Sequence, residues 1–209
     1  MASGGFYGKI PSQGDFVTRR LPWEFTSAWD DWLQQGMQAS RVALGERWLE
    51  LYLSAPVWRF QLAPGVCGPV GWRGVFFASV DRVGRYFPLT LAFMAAPAGA
   101  RAGAGVASCL AVDEAGWFAA EEAALAGLDP TLPIDEFERA LQALAEPAAE
   151  TADPGTDATA GVHFFCAATE DAPARRLAFA TLPEPGVFVD LIVPPAPPAA
   201  TSLMDVLAG

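Results

Sequence analysis

The sequence predicts an α/β domain: a central mixed, largely antiparallel sheet with helices on both faces, a three-layer α/β/α sandwich. Three observations predict it. Short runs with period-two alternation, or rich in β-branched and aromatic residues, recur at 5–10, 57–62, 67–78, 89–95, 162–168 and 176–181. Segments with apolar residues at three- and four-residue steps stand between them, within 23–53 and 113–144. The order strand, two helices, three strands, two helices, two strands suits stacked layers rather than a barrel. An apolar fraction of 52%, with seven Trp and fourteen Phe, is ample for the core of such a sandwich.

Taken in order, Gly5 to Ile10 reads as a first strand, broken by Pro11-Ser12-Gln13-Gly14-Asp15 and resumed as extended chain at Phe16-Val17. A long amphipathic helix follows from Trp23 to Leu44, with Pro22 at its start and Glu24 near the positive end of its dipole. Phe25, Trp29, Trp32, Leu33, Gly36, Met37 and Leu44 share one face, so the two Trp are assigned to the core. A shorter helix, Glu46 to Leu53, stops before Pro56. Val57 to Leu62 alternates, placing Trp58 and Phe60 on one side and Arg59 on the other. Cys67 to Ala78 is the next strand, with Gly71 and Gly74 as possible bulge positions, and Leu89 to Ala95 completes an antiparallel meander.

Residues 96–111, rich in Ala and Gly, connect to helices at Asp113 to Leu128 and Ile134 to Leu144. Their carboxylates read as a solvated face, with an acidic docking surface as the alternative. Residues 147–160 are small, polar and acidic and read as a mobile loop. Val162 to Ala168 and Arg176 to Thr181 form a hairpin across an acidic turn. Gly186 to Val193 is either a strand, favoured by its β-branched residues, or a last helix. Residues 1–193 are read as one domain, and 194–209 as a Pro/Ala-rich C-terminal tail.

Composition excludes several classes of function. Residues 1–100 carry nine basic and seven acidic side chains, whereas 101–209 carry four Arg against seventeen carboxylates. A chain with net charge −11 repels phosphate backbones, so nucleic acid is not an expected partner. The stretch 88–112 is too interrupted by Pro97, Arg101 and glycines to span a bilayer. Met1 to Gly5 lacks a basic region followed by an apolar one, which leads to the expectation of no secretory signal. Cys67, Cys109 and Cys166 lack metal-ligand spacing and read as buried thiols of a cytoplasmic protein. His163 is the only histidine and lies in an apolar strand; Cys166 falls on the opposite face, so the two form no dyad. The Gly8-Lys9 order is wrong for a phosphate loop, and 103–108 lacks the third glycine of a dinucleotide fingerprint. No cofactor or metal is expected.

The most distinctive stretch is Ser79-Val80-Asp81-Arg82-Val83-Gly84-Arg85-Tyr86-Phe87-Pro88-Leu89, which confines three charges to a short connection between two apolar strands. It is either a tight hairpin with a solvated tip, or its Asp and Arg side chains form an internal ion-pair latch or face a partner. This stretch resembles the signature of the TagF (ImpM) family of type VI secretion-associated proteins. Gly5-Phe6-Tyr7-Gly8-Lys9-Ile10-Pro11-Ser12-Gln13-Gly14-Asp15-Phe16-Val17 resembles that family's N-terminal motif, and Ser54-Ala55-Pro56-Val57-Trp58-Arg59-Phe60 its middle motif. The resemblance implies a helix at 187–193. It also implies a cytoplasmic, non-catalytic accessory that restrains secretion-system assembly post-translationally by sequestering the forkhead-associated (FHA) scaffold protein.

Within these motifs Lys9, Ser12, Asp15, Arg59, Asp81, Arg82 and Arg85 are expected to form one polar cluster, since half-buried charges persist only when paired. Two functions compete. In one, the cluster braces a surface presented to a protein. In the other, it is an enzyme or small-ligand site, with Arg59, Arg82 and Arg85 holding a phosphorylated compound.

Overall fold

The computed structural model describes residues 4–95, 114–144, 160–168 and 173–194. The connection at 96–111, Cys109, all but the last residue of the loop at 147–160, the turn at 169–172 and the tail beyond Pro194 lie outside them.

The chain runs β1 (Gly5–Gly8), β2 (Val17–Arg19), α1 (Trp23–Leu44), α2 (Trp48–Leu53), β3 (Trp58–Leu62), β4 (Trp72–Phe77) and β5 (Leu89–Met94). It continues as α3 (Glu114–Ala126), α4 (Ile134–Ala143), β6 (Val162–Cys166), β7 (Arg175–Phe179) and α5 (Phe188–Ile192). A 3-10 turn at Gly45–Arg47 takes up the start expected for α2, and another at Pro185–Val187 leads into α5. The seven strands form one sheet in the order β2-β1-β5-β4-β3-β6-β7, and every pairing is antiparallel. The meander β3-β4-β5 is present as expected. The pairing of β3 with β4 is continuous from Trp58↔Phe76 to Leu62↔Trp72, so Gly74 marks no bulge. It instead gives room to the Leu91 carbonyl, which would lie 2.0 Å from an added Cβ. β4 starts later than expected because Cys67 to Gly71 turns the chain.

Alternation along the strands builds two cores. Tyr7, Trp58, Phe60, Leu62, Trp72, Phe76, Val162 and Phe164 face α1, α2 and α5. Phe6, Val75, Phe77, Leu89, Leu91 and Phe93 face α3 and α4, where Trp117, Ala120, Ala124, Phe137 and Leu141 meet them. Both faces are therefore covered, which explains why β3, β4 and most of β5 are buried along their length.

Tryptophan indoles tie the first core together. Trp29, wholly buried in α1, donates its Nε1–H to Thr90 Oγ1 of β5 at 2.9 Å. Trp32 donates to the Pro183 carbonyl at 3.0 Å, and Trp58 of β3 to the Leu191 carbonyl of α5 at 2.8 Å. Each bond satisfies a polar atom that burial would otherwise penalise, and each joins two elements distant in sequence. The last segment is a helix. Phe188, Leu191 and Ile192 fall at helical spacing on one buried side against α1, so packing overrides β propensity.

Candidate functional site

The β4–β5 connection is a latch. Val80 and Tyr86 pair across it, and Gly84 takes φ 88°, a left-handed conformation that closes the turn. Asp81 lies inside, its residue only 3% exposed. Its Oδ1 accepts the backbone N–H groups of Val83 at 3.0 Å and Arg85 at 2.9 Å. Its Oδ2 meets Lys9 Nζ at 3.0 Å and Arg85 Nε at 2.7 Å. Burial raises the cost of the charge, but the Arg85 and Val83 amides, the Lys9 ammonium and the Arg85 guanidinium outweigh it. The carboxyl is held well below the usual carboxylate range.

The same contacts join the turn to the loop after β1. The Arg82 amide donates to the Gln13 carbonyl at 2.8 Å, Arg85 Nη2 donates to the Gly14 carbonyl, and Ser79 Oγ donates to the Lys9 carbonyl at 2.7 Å. Tyr52 of α2 holds the base of the turn: its hydroxyl accepts the Ser79 amide at 3.0 Å and faces the Ser79 carbonyl at 3.2 Å. Burial pushes that phenol's pKa well above its ordinary value. Gly8, at φ 132°, lets β1 approach the Pro88 carbonyl, which would lie 2.0 Å from an added Cβ, and so brings Lys9 up to Asp81.

The expected residues are distributed unevenly. Lys9, Asp81, Arg82 and Arg85 come together at this tip. Asp15 sits at its rim, 86% exposed in its side chain and 3.9 Å from Arg85, too open to contribute much. Ser12 lies partly exposed in the turn closed by the Gln13 amide and the Ile10 carbonyl.

Arg59 belongs to a different node. Alternation along β3 turns it to the α3 face, where Nε and Nη2 grip Glu121 at 2.6 and 3.0 Å and Nη1 meets Glu114 at 2.8 Å. Trp117, Phe118 and Phe165 surround the guanidinium at 5.3–5.9 Å. Burial works against its charge, but the two glutamates win and raise its pKa above the ordinary value. Arg59 thus clamps α3 to the sheet, and its fork is not aimed, with Arg82 and Arg85, at a common phosphate.

Several contributors went unread in the sequence. Glu121 stands four residues after the buried Trp117, so helical spacing places it toward the sheet, where it reaches Arg59 from α3. Tyr7 donates to Asp30 Oδ1, tying β1 to α1; burial, aided by that carboxylate, drives the phenol's pKa far up. Arg20 pairs with Glu138 and fastens the β2 edge to α4. Among the described residues no three His, Cys, Asp or Glu side chains gather as a metal site, and no helix is long and apolar enough to cross a membrane.

The family model of the TagF N-terminal domain, described as type VI secretion system-associated, matches residues 5–144. The crystal structure of PA0076 from Pseudomonas aeruginosa PAO1 is similar, with a TM-score of 0.77 and 33% identity over 94% of this chain and 99% of that one. The likeness extends past residue 144, in keeping with β6 and α5 being built into the sheet and its first core. No curated protein matches the chain. All three motifs that shape the tip and the Arg59 clamp lie inside the matched span, and the chain belongs to the TagF family of type VI secretion-associated proteins.

Proposed function

We propose that this chain is a non-catalytic accessory of the type VI secretion system that acts in the cytoplasm. It restrains assembly post-translationally by binding the FHA-domain scaffold protein, and the β4–β5 tip is the rigid surface it presents. One observation carries this reading. Both Asp81 oxygens are occupied by two amides, an ammonium and a guanidinium, so the carboxylate braces the tip and has no lone pair aimed outward to act as a base. Arg59, an essential part of the competing phosphate-site reading, is committed to α3.

The experiment is titration calorimetry of the full-length chain with the scaffold protein from the same secretion system, repeated with Asp81→Asn and Arg85→Ala. Binding by the parent chain and weakening by at least about tenfold in the variants, with the rest of the fold retained by circular dichroism, supports the reading. Absence of binding by the parent chain removes it.

A further inference from the structure

We propose that the tip reads an acidic, apolar-bearing segment of its protein partner through Arg82, Val83 and Phe16, an assignment that rests on the partner-binding reading above. The tip's residues divide into two sets. Lys9, Asp81 and Ser79 face inward and are consumed by the latch, as is one edge of Arg85. Arg82, Val83 and Phe16 face outward.

Among the described residues no ion pair or side-chain hydrogen bond holds the Arg82 guanidinium, although its backbone amide is fixed to Gln13. One Nη rests 3.2 Å from the point where a Cβ on Gly14 would stand, so the side chain is backed by the neighbouring loop. Val83 is 66% exposed at the apex, with its own amide tied to Asp81. Phe16 is 44% exposed, but its other side is supported by the Phe87 ring at 4.8 Å and by Lys9 Nζ at 4.9 Å. A guanidinium free to form paired hydrogen bonds with a carboxylate thus shares the tip with two exposed apolar side chains on a braced base. Rigid support reduces the ordering cost of binding.

Long-range charge selects the same partner. The described residues of the α3–α4 layer, 114–144, hold seven carboxylates against one arginine, whereas residues 1–100 carry a small positive excess. An acidic segment is repelled by most of a chain of net charge −11 and attracted locally by Arg82 and the open Nη1 of Arg85. Repulsion elsewhere with attraction at the tip fixes the orientation of encounter.

The test uses the full-length chain and two probes followed by fluorescence anisotropy. One is the FHA-domain scaffold protein; the other is a fluorescein-labelled decapeptide alternating Glu and Leu, with a Lys/Leu decapeptide as control. Expected is binding of the Glu/Leu peptide that weakens with added salt. Arg82→Glu and Val83→Ser should each weaken it, the former by about tenfold or more, with thermal midpoints unchanged. Equal binding of the peptide by the parent chain and Arg82→Glu overturns the assignment, as does failure of the peptide to bind. Scaffold binding lost in Asp81→Asn but kept in Arg82→Glu also overturns it while leaving the partner reading intact. Tip-dependent binding of the peptide without scaffold binding leaves the assignment standing and removes the scaffold.

Discussion

Lys9 and Asp81 meet at 3.0 Å with side chains 6% and 0% exposed, an ion pair sealed between the loop after β1 and the β4–β5 turn. Both are almost wholly withdrawn from water, so the Lys9 ammonium depends on Asp81 for its compensation, and two segments far apart in sequence behave as one piece.

Lys9→Met removes the ammonium and leaves Asp81 with two amides and Arg85. The expected cost is about 3 kcal/mol, the lower end of the range for breaking a buried pair, because the carboxylate keeps those donors. Urea unfolding followed by tryptophan fluorescence measures it, and an unchanged midpoint would mean that the pair contributes nothing to stability.

Acid should loosen the tip. The folded-state pKa of Asp81 lies below its unfolded value near 3.9, so the latch's contribution is complete above that value and declines as pH falls through it. Asp81→Asn lacks this titration. The stability difference between the parent chain and the variant should stay constant above about pH 5 and shrink below about pH 4. Urea midpoints across that range report it.

The two glutamates on Arg59 are predicted to differ. Glu121 is 15% exposed and held by two hydrogen bonds, whereas the Glu114 side chain is 70% exposed. Glu114→Gln should fall within about 0.5 kcal/mol of the parent, as exposed pairs do. Arg59→Met, which strands Glu121, should cost about 3–5 kcal/mol. Hydrogen exchange should show the loss first in α3 amides, since the clamp is what holds that helix to β3.

Gly36 of α1 makes room for the Phe188 side chain of α5. A Cβ there would stand 2.5–2.8 Å from Phe188 Cδ2, Cγ and Cβ, the root of a side chain that cannot swing away. Gly36→Ala gains about 1 kcal/mol of helix propensity but meets overpacking of about 1–3 kcal/mol, for a net loss. Combining it with Phe188→Leu should recover part of that loss, read from the thermal midpoints of the four proteins of the cycle.

Burial pushes the Cys67 thiol up to about 12, and Cys166 is also raised by burial. In a Cys109→Ser background, both should resist a disulfide reagent at pH 8 and react at once in urea. Rapid labelling of the native chain would contradict the burial of these thiols.

Much of this architecture was legible. Trp23 to Leu44 announces its helix by spacing, and Trp58-Arg59-Phe60 announces by alternation that the arginine leaves the tryptophan side. Ser79 to Leu89 carries its family's signature in its letters. The grouping of seven polar residues was less legible. Spacing places Arg59 on a sheet face but does not say which helix covers that face, so the pairing of Glu121 with Arg59 was not legible. Phe188 to Ile192 was ambiguous because its β-branched content favours a strand, whereas the family resemblance implied a helix.

Local pattern, acting over a few residues, was enough to set the elements, the layered class and the family. Contacts between remote segments decided the rest: Lys9 under Asp81, Glu121 over Arg59, and Phe188 against Gly36 of α1. Pairing free energy depends on distance and dielectric, and both are properties of the assembled layers rather than of any stretch of chain.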